Sequence, residues 1–518
     1  MDLIRQVKEW WGKNVNEQPV WRVEDLPQPD FKDILLSLKL AYEIRRDTIV
    51  LGKPDTELSV LIRSYFWEIL SCVLKPYTPY AITGIAAIHF HLGDESIPSK
   101  VDIFTMNSST RIDLHEISLL SLEKKPDFFQ ASDIEKCLKH IKTRKNYLLT
   151  IESPESLLVR LRPQYFRDYP QVMSGFLKAI DFDVEILSAI QLQKSKPITY
   201  FRLAALFEQV GKNNIAQLFK SIAKATTHYT TPGKAQILKY PLPATVALPK
   251  RISDPAYVTR FRDQLRIYAN YVDTHLNGLD LPQWNLKKIK SYIEKNKKYD
   301  TYHSSTIEGY RVTTEEIQLL IEGREIISTG KTREEIERKM ALKGYLEAHK
   351  FVLQTIEGHF IKNIPLTELM IRDIYAHLFS PSVEAGILKK EQLIQYRNDA
   401  VFIRNSRYVP PNYLKINELM RCLVEEINEI ESNVTQAIIA HYGFVTVHPY
   451  FDGNGRVARL LMNYLLCRGG IPWITIRVED RDQYFSALET AQCDENFEPF
   501  IKFLKKYLKE NGSPENQK

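Results

Sequence analysis

The chain has 518 residues, 44% of them hydrophobic and 26% charged, which are globular values and predict about two to four domains. Lys plus Arg exceed Asp plus Glu by 70 to 64, a mild +6 that permits nucleic-acid contact without arguing for it. No apolar run approaches the ~18 residues of a membrane helix, and MDLIRQVKEWWGKN lacks a basic start followed by an apolar core, so neither membrane span nor signal peptide is expected. Cys72, Cys137, Cys422, Cys467 and Cys493 are odd in number and scattered with no CxxC pair, which predicts reduced thiols and a cytoplasmic protein.

In chain order, Trp21 to Lys53 reads as a small helical unit closed by a short strand pair. DFKDILLSLKLAYEI carries a helical stripe at Ile34, Leu35, Leu38 and Ala41, and RRDTIVLG follows with Ile49 and Leu51 alternating. A helix followed by a basic β-wing is the layout of a winged helix-turn-helix, with Arg45, Arg46 and Lys53 placed to touch DNA phosphates. ELSVLIRSYFWEIL is helical, and YAITGIAAIHFHLG, KVDIFTMN and YLLTIESPESLLVRL mix short strands and helices. His89 and His91 would share one strand face, but no third ligand is spaced nearby, so they read as satisfied structural histidines. With Ser153-Pro154-Glu155-Ser156-Leu157-Leu158, this half loosely resembles the AbiEi family of antitoxins and transcriptional regulators, which joins a winged helix to an α/β domain. That resemblance implies a winged-helix-like domain over 1–75 and an α/β regulator-like domain over 76–250, with duplex DNA or a protein as partner.

Residues 195–225 read as two helices, Tyr229 to Pro249 as a wing or linker, and Ser253 to Leu279 as a long helix inside a linker of 251–284. The lysines between Lys287 and Lys298 read as a solvated helix face or a linker. SSTIEGYRVT ends a helical pattern at Glu308-Gly309. As residues, these are either an ordinary helix end with a C-cap glycine or a carboxylate placed to meet an arginine of a phosphate site. Gly330-Lys331-Thr332 ends like a phosphate loop, but position 325 is Glu and no apolar strand precedes it, so a helix start with Thr332 as N-cap and Glu335 closing a capping box is expected. Over 387–411, Val401 and Ile403 flank Phe402 while Arg397 to Asp399 can turn, which predicts a β-hairpin.

His448 to Leu461, HPYFDGNGRVARLL, is the most informative stretch. VTQAIIAHYGFVTV ahead of it has helical apolar spacing, Pro449 ends that helix, and Asp452-Gly453-Asn454-Gly455 is a run of turn formers before the apolar helix VARLLMNYLL. A glycine-containing loop feeding a helix N-terminus suits an anion. Arg456 and Arg459 lie one turn apart, Asp452 is a hard oxygen ligand fit for Mg²⁺, and His448 can take a proton near neutral pH. Together they predict a phosphoryl- or nucleotidyl-transfer site. His441, two turns back, reads as core or as a support for His448.

This string resembles the motif HPFxDGNGRxxR of the Fic-domain family, with Tyr450 in place of the family's Phe as the only departure. The resemblance implies a mostly α protein: an all-α helical bundle over 285–510 with a β-hairpin flap, preceded by an α+β region and followed by a disordered tail at 511–518. It implies a protein adenylyltransferase in which ATP and Mg²⁺ bind Gly453, Asn454, Gly455, Arg456, Arg459 and Asp452, with His448 as base toward a Ser, Thr or Tyr hydroxyl. Ser304 and Glu308 match the family's inhibitory motif [ST]xxxE[GN], with Arg459 as partner of Glu308, and relatives bearing this glutamate also remove AMP. Val401, Phe402 and Ile403 would be the flap edge that docks a target protein, and self-modification is implied as well. Near the adenine, where the family often has two tyrosines and an asparagine, this chain has Tyr484-Phe485 and Gln492; one hydroxyl is lost and the amide sits a methylene further out. A DNA-binding regulator with a nucleotide-sensing Fic half, and a transferase using another nucleotide donor, are the alternatives.

Overall fold

A computed structural model describes residues 2–194, 197–226, 254–324, 332–362 and 364–510. Tyr229–Pro249, Gly330, Lys331 and the tail Asn511–Lys518 lie outside the described residues. The chain divides into two compact units, one of Met1–Arg260 plus Phe402–Val409, the other of Phe261–Val401 plus Pro410–Lys518. Among the described residues no helix is long and apolar enough to cross a membrane, and the five cysteines form no disulfide.

The first unit starts with α1 (Asp2–Asn14), β1 (Val20–Arg22), α2 (Phe31–Ser37), β2 (Ala41–Arg45) and β3 (Thr48–Leu51). The three strands form an antiparallel sheet in the order β1-β3-β2. The expected helix through Ala41 stops earlier. Leu38 caps α2, Lys39 adopts a positive φ of 54°, and Ala41 pairs with Leu51 in the sheet. Trp21, placed by sequence at the head of a helical unit, sits in β1 opposite Ile49.

Beyond it lies a six-stranded mixed sheet of β4 (Tyr80–Thr83), β5 (Lys100–Thr105), β6 (Thr110–Leu114), β7 (Ser118–Lys124), β8 (Leu138–Lys142) and β9 (Leu148–Glu152), in the order β6-β7-β5-β4-β9-β8. The central strand β4 is buried at every residue and pairs antiparallel with β5 and parallel with β9. That double burial suits its apolar Ala81 and Ile82, while the buried Thr83 hydroxyl donates to Glu152. His89 and His91 do not lie on a strand as expected. Gly84, at φ 64°, turns the chain out of β4 into the helix Gly84–His91, where His91 Nε2 meets the Glu152 carbonyl at 2.8 Å and His89 faces Asp94 at 3.6 Å. Ser153 caps the helix Pro154–Arg160 by accepting from the Ser156 N–H.

In the second unit the described elements are helical. The expected long helix forms as Ala256–Leu276. The site is built from α3 (Leu286–Ile307), α4 (Arg333–His359), α5 (Glu368–Glu384), α6 (Asn433–Val447), α7 (Asn454–Arg468) and α8 (Arg481–Cys493). α6 and α7 are buried along nearly their whole length, so they form the unit's centre rather than an amphipathic surface pair. The lysine-rich start of α3 is a solvated face, while its last two turns are buried. Asp300 anchors that buried end: its carboxylate accepts from Tyr345 Oη at 2.7 Å, Trp473 Nε1 at 3.0 Å and Thr475 Oγ1 at 2.7 Å. Thr332 caps α4 by accepting from the Glu335 N–H, while the Glu335 side chain does not return the bond of the expected capping box.

The expected hairpin over 387–411 is absent. These residues contain one 3₁₀ turn, Lys390–Leu393, and no strand. The hydrogen bonds a ladder would use go elsewhere. The Arg397 N–H donates to the Pro449 carbonyl at 2.8 Å, and its guanidinium donates to the carbonyls of Asp399, Pro411 and His448. One buried arginine thus replaces cross-strand pairing at the base of the loop. Further on, Phe402–Val409 belong to the first unit, where Val409 is buried in the core and the Arg407 carbonyl accepts from the Ile97 N–H.

Candidate active site

α6 ends on His448, which takes the left-handed conformation (φ 50°, ψ 59°) as C-cap while its N–H still bonds the Phe444 carbonyl. This turn holds the imidazole at the helix end instead of letting it continue along the helix surface. Nδ1 lies 3.3 Å from the Val445 carbonyl, which places the ring proton on Nδ1 and leaves the Nε2 lone pair available. Desolvation lowers the pKa to about 4, so the ring is unprotonated at pH 7 and able to accept a proton. The Arg397 Nε–H holds the His448 carbonyl at 2.8 Å. The sequence reading treated Arg397 only as a turn residue; a lone arginine in a loop gives no pattern from which its four carbonyl partners could be read.

The loop is closed by Asn454. Its side-chain amide donates to the Tyr450 carbonyl at 2.8 Å and its oxygen accepts the Tyr450 N–H at 3.0 Å. Tyr450 stacks face to face on Tyr375, 3.6 Å between centroids, and is buried as a phenylalanine would be, with its hydroxyl unpartnered. Gly453 caps α7 at φ 82° with no capping side chain of its own, so the first turn of α7 presents N–H groups and a partial positive charge. One expected donor is already used, however: the Gly453 N–H points to Asp452 Oδ1 at 2.6 Å.

Asp452 and Arg456 form an ion pair at 2.9 Å, with the carboxylate 55% exposed and the guanidinium fully buried. Arg456 lies between the rings of Tyr310, 5.1 Å from its centroid, and Phe379, at 5.3 Å, and its Nε and Nη1 have no partner. Among the described residues no cluster of three or more His, Cys, Asp or Glu occurs. At the loop, the half-exposed carboxylate of Asp452 is a hard oxygen donor a cation could use. That fits Mg²⁺ arriving with a polyphosphate, which completes its shell with phosphate oxygens and water.

Arg459 is held from α3. Nε donates to Ser304 Oγ at 2.9 Å, and Nη2 donates to the Ser304 carbonyl at 3.0 Å and to Glu308 Oε1 at 2.7 Å. The pairing with Glu308 has one prong, because Ser304 occupies the other donors on that edge. Glu308-Gly309 is both a helix end and the place where a carboxylate meets Arg459. Gly309, at φ 93°, ends α3 in a Schellman motif, with Gly309 N–H bonding Thr306 O and Tyr310 N–H bonding Ser305 O, and that motif aims Glu308 at Arg459.

Tyr484 and Gln492, on α8, are buried and already bonded inside the protein: Tyr484 Oη to His441 Nε2 at 2.9 Å, and Gln492 Nε2 to Thr446 Oγ1 at 3.1 Å. Burial pushes the Tyr484 phenol up to about 12 and the His441 imidazole down to about 3, so the hydroxyl donates and the neutral ring accepts. A cleft of about 390 Å³ runs beside the loop, lined by Tyr310, Tyr375, Phe379, Tyr396, Tyr450 and Asp452 among others.

Comparison with known proteins agrees with this geometry. Residues 365–466 match the model of the Fic/DOC family. They are a Fic domain. The match takes in the His448–Arg459 loop and the buried pair α6 and α7 up to Leu466. Among curated proteins, the chain is 32% identical over 209 residues to a protein adenylyltransferase Fic of Nematostella vectensis, spanning 39% of this chain and 45% of the relative. It is 30% identical over 211 residues to protein adenylyltransferase fic-1 of Caenorhabditis elegans, spanning 40% of this chain and 38% of the relative. The chain thus covers less than half the length of these relatives. Among solved structures, Fic-1 (residues 134–508) from C. elegans aligns with 20% identity and a TM-score of 0.36 over 63% of this chain and 88% of that one.

Proposed function

We propose that the second unit transfers AMP from ATP to a Ser, Thr or Tyr hydroxyl of a protein, restrained by Glu308. The observation that carries this reading is the neutral His448, its Nδ1 turned to the Val445 carbonyl, beside a helix N-terminus with two arginines on its first turns. In the reaction, His448 Nε2 takes the hydroxyl proton as the oxygen bonds to the α-phosphorus. The bond to the bridging oxygen of the β-phosphate breaks and pyrophosphate leaves. The N–H groups at the start of α7, with Arg456 and Arg459, neutralise the phosphate charge, and such preorganised charge supplies most of the rate in sites of this kind. A Mg²⁺ held by Asp452 would add to that neutralisation. Arg459 can serve the γ-phosphate only when it is released from Glu308, and the same carboxylate orienting a water would run AMP removal. Tyr484 and Gln492 would lie toward the nucleobase, and Val401, Phe402 and Ile403 would meet the target; Phe402 keeps 40% of its surface exposed.

Intact mass spectrometry after incubation with ATP, UTP, GTP or a CDP-linked alcohol tests the reading. A mass gain of one AMP on the chain itself or on a captured protein, with ATP alone, is the expected result. Gain from another donor reassigns the nucleotide, and no gain from any donor, even with Glu308 replaced by Gly, overturns the transferase.

For the first unit, the order α1-β1-α2-β2-β3 with a three-stranded β1-β3-β2 sheet supports a winged-helix reading, with half-exposed Arg45 and exposed Arg46 at the β2–β3 turn facing duplex DNA phosphates. Salt-sensitive binding of the full chain to duplex DNA, weakened by Arg45→Ala/Arg46→Ala, is the expected result. No binding at low salt assigns this unit to protein contacts.

A further inference from the structure

Glu308 is not the sole group of its segment that meets the phosphate loop. Two residues on, Tyr310 lays its ring over the Arg456 guanidinium at 5.1 Å, and its hydroxyl reaches Asp452 Oδ2 at 3.4 Å. Arg456 is fully buried, yet Nε and Nη1 find no partner in the protein. A buried cation with open donors is costly unless a ligand or an aromatic face compensates it. The Schellman turn at Gly309 fixes the backbone of Tyr310, whose N–H bonds the Ser305 carbonyl, so the ring's place over Arg456 does not depend on the Glu308 side chain.

We propose that Tyr310 is a second closing element of the phosphate site, shielding Arg456 with its ring and reaching with its hydroxyl the Asp452 Oδ2 that Arg456 also holds. Segment 308–310 then restrains all three charged groups of the loop: Glu308 acts on Arg459, and Tyr310 acts on Arg456 and Asp452. The ligand class excluded is a nucleoside triphosphate, whose phosphate oxygens compete for Arg456 and whose cation competes for Asp452. This rests on the nucleotide-transfer reading above, but it concerns a different residue and a different arginine from the Glu308 contact.

The test is titration of the full chain with a fluorescent ATP analogue, with Mg²⁺ or with a chelator, for the wild type, Tyr310→Ala, Tyr310→Phe, Glu308→Gly and the double variant Glu308→Gly/Tyr310→Ala. Tyr310→Ala should tighten binding by at least about tenfold in both conditions, because it uncovers Arg456. Tyr310→Phe should tighten it by less than Tyr310→Ala, because the ring stays over Arg456 while the hydroxyl contacts with Asp452 and Arg456 are lost. The double variant should bind more tightly than either single one. Melting curves accompany each protein, and Tyr310→Leu, which keeps bulk without an aromatic face, replaces Tyr310→Ala if that variant does not fold. Binding to Glu308→Gly with unchanged or weaker binding to folded Tyr310→Ala overturns the closing role alone. No binding to any of the proteins overturns the nucleotide reading and this role with it.

Discussion

The carboxylate of Glu308 stands where a side chain on Gly455 would have to go. A Cβ at Gly455 would overlap Glu308 Oε1 and come within 3.2 Å of Arg459 Nη1. The absent side chain at one position and the carboxylate at the other, 147 residues earlier in the chain, are therefore one fitted contact (455 − 308 = 147). Gly455→Ala should dislodge Glu308 and lower the denaturant midpoint. In a Glu308→Gly background the same substitution should cost less, by about 1–3 kcal/mol, the range of overpacking penalties. Equal costs in both backgrounds would show that the two residues do not share that space.

Glu308→Gly should raise self-modification by at least about tenfold, only ~1.4 kcal/mol of barrier. Arg459→Ala should give no such gain, since this guanidinium is needed for the triphosphate, and the double variant should match Arg459→Ala. Labelled ATP and gel autoradiography read all four. A Glu308→Gly protein no faster than the wild type with any donor reduces Glu308 to a helix cap.

His448→Ala, placed in the Glu308→Gly protein, should lower transfer by ~10²–10⁴-fold while ATP binding persists, because the phosphate contacts come from other residues. Transfer above a tenth of the parent rate removes His448 from the role of base.

The pH profile follows from burial of the same ring. His448 titrates at about 4, lowered by burial from 6.5, so its basic form is present above that value and lost as pH falls through it. The acid limb of kcat/KM for Glu308→Gly should lie well below pH 6. An acid limb at pH 6.5 would mean a histidine titrating at its ordinary value and would remove the downward shift.

Asn454→Ala removes both bonds that tie the start of α7 to the Tyr450 backbone and leaves a buried N–H and C=O unpaired. It should cost about 1–3 kcal/mol for each orphaned group and weaken nucleotide binding through a loosened loop. Denaturant unfolding and ATP titration measure the two effects. A variant with unaltered midpoint and affinity would show that the loop closes without this amide.

Local chemistry made much of the site legible in the residues alone. Gly453 and Gly455 in a turn, the histidine before Pro449, and arginines one helical turn apart are short-range requirements, and each is met within a dozen residues. The helix ends at Thr332 and Gly309 were readable for the same reason. The hairpin over 387–411 was misread because alternation of Val401, Phe402 and Ile403 reports a pattern of burial, not the partner that provides it. Arg397 took the carbonyls, and Val409 found its core in the first unit. His89 and His91 were misplaced on a strand because a continuous apolar run does not distinguish a buried strand from a buried helix; the turn at Gly84 decided it.

By itself the sequence determined which groups could carry the chemistry: a base, a hard oxygen, two guanidiniums and a flexible loop, with a glutamate at a helix end some 140 residues before them (448 − 308 = 140). Tertiary structure decided what those groups do to one another. Asp300, tied to Tyr345, Trp473 and Thr475, sets the end of α3 against α7, and that placement brings Glu308 to Arg459 and Tyr310 to Arg456. Burial then makes His448 neutral and leaves the Arg456 donors without protein partners. Charge state and pairing depend on distance and on exclusion of water, and both arise from packing among segments far apart in the chain.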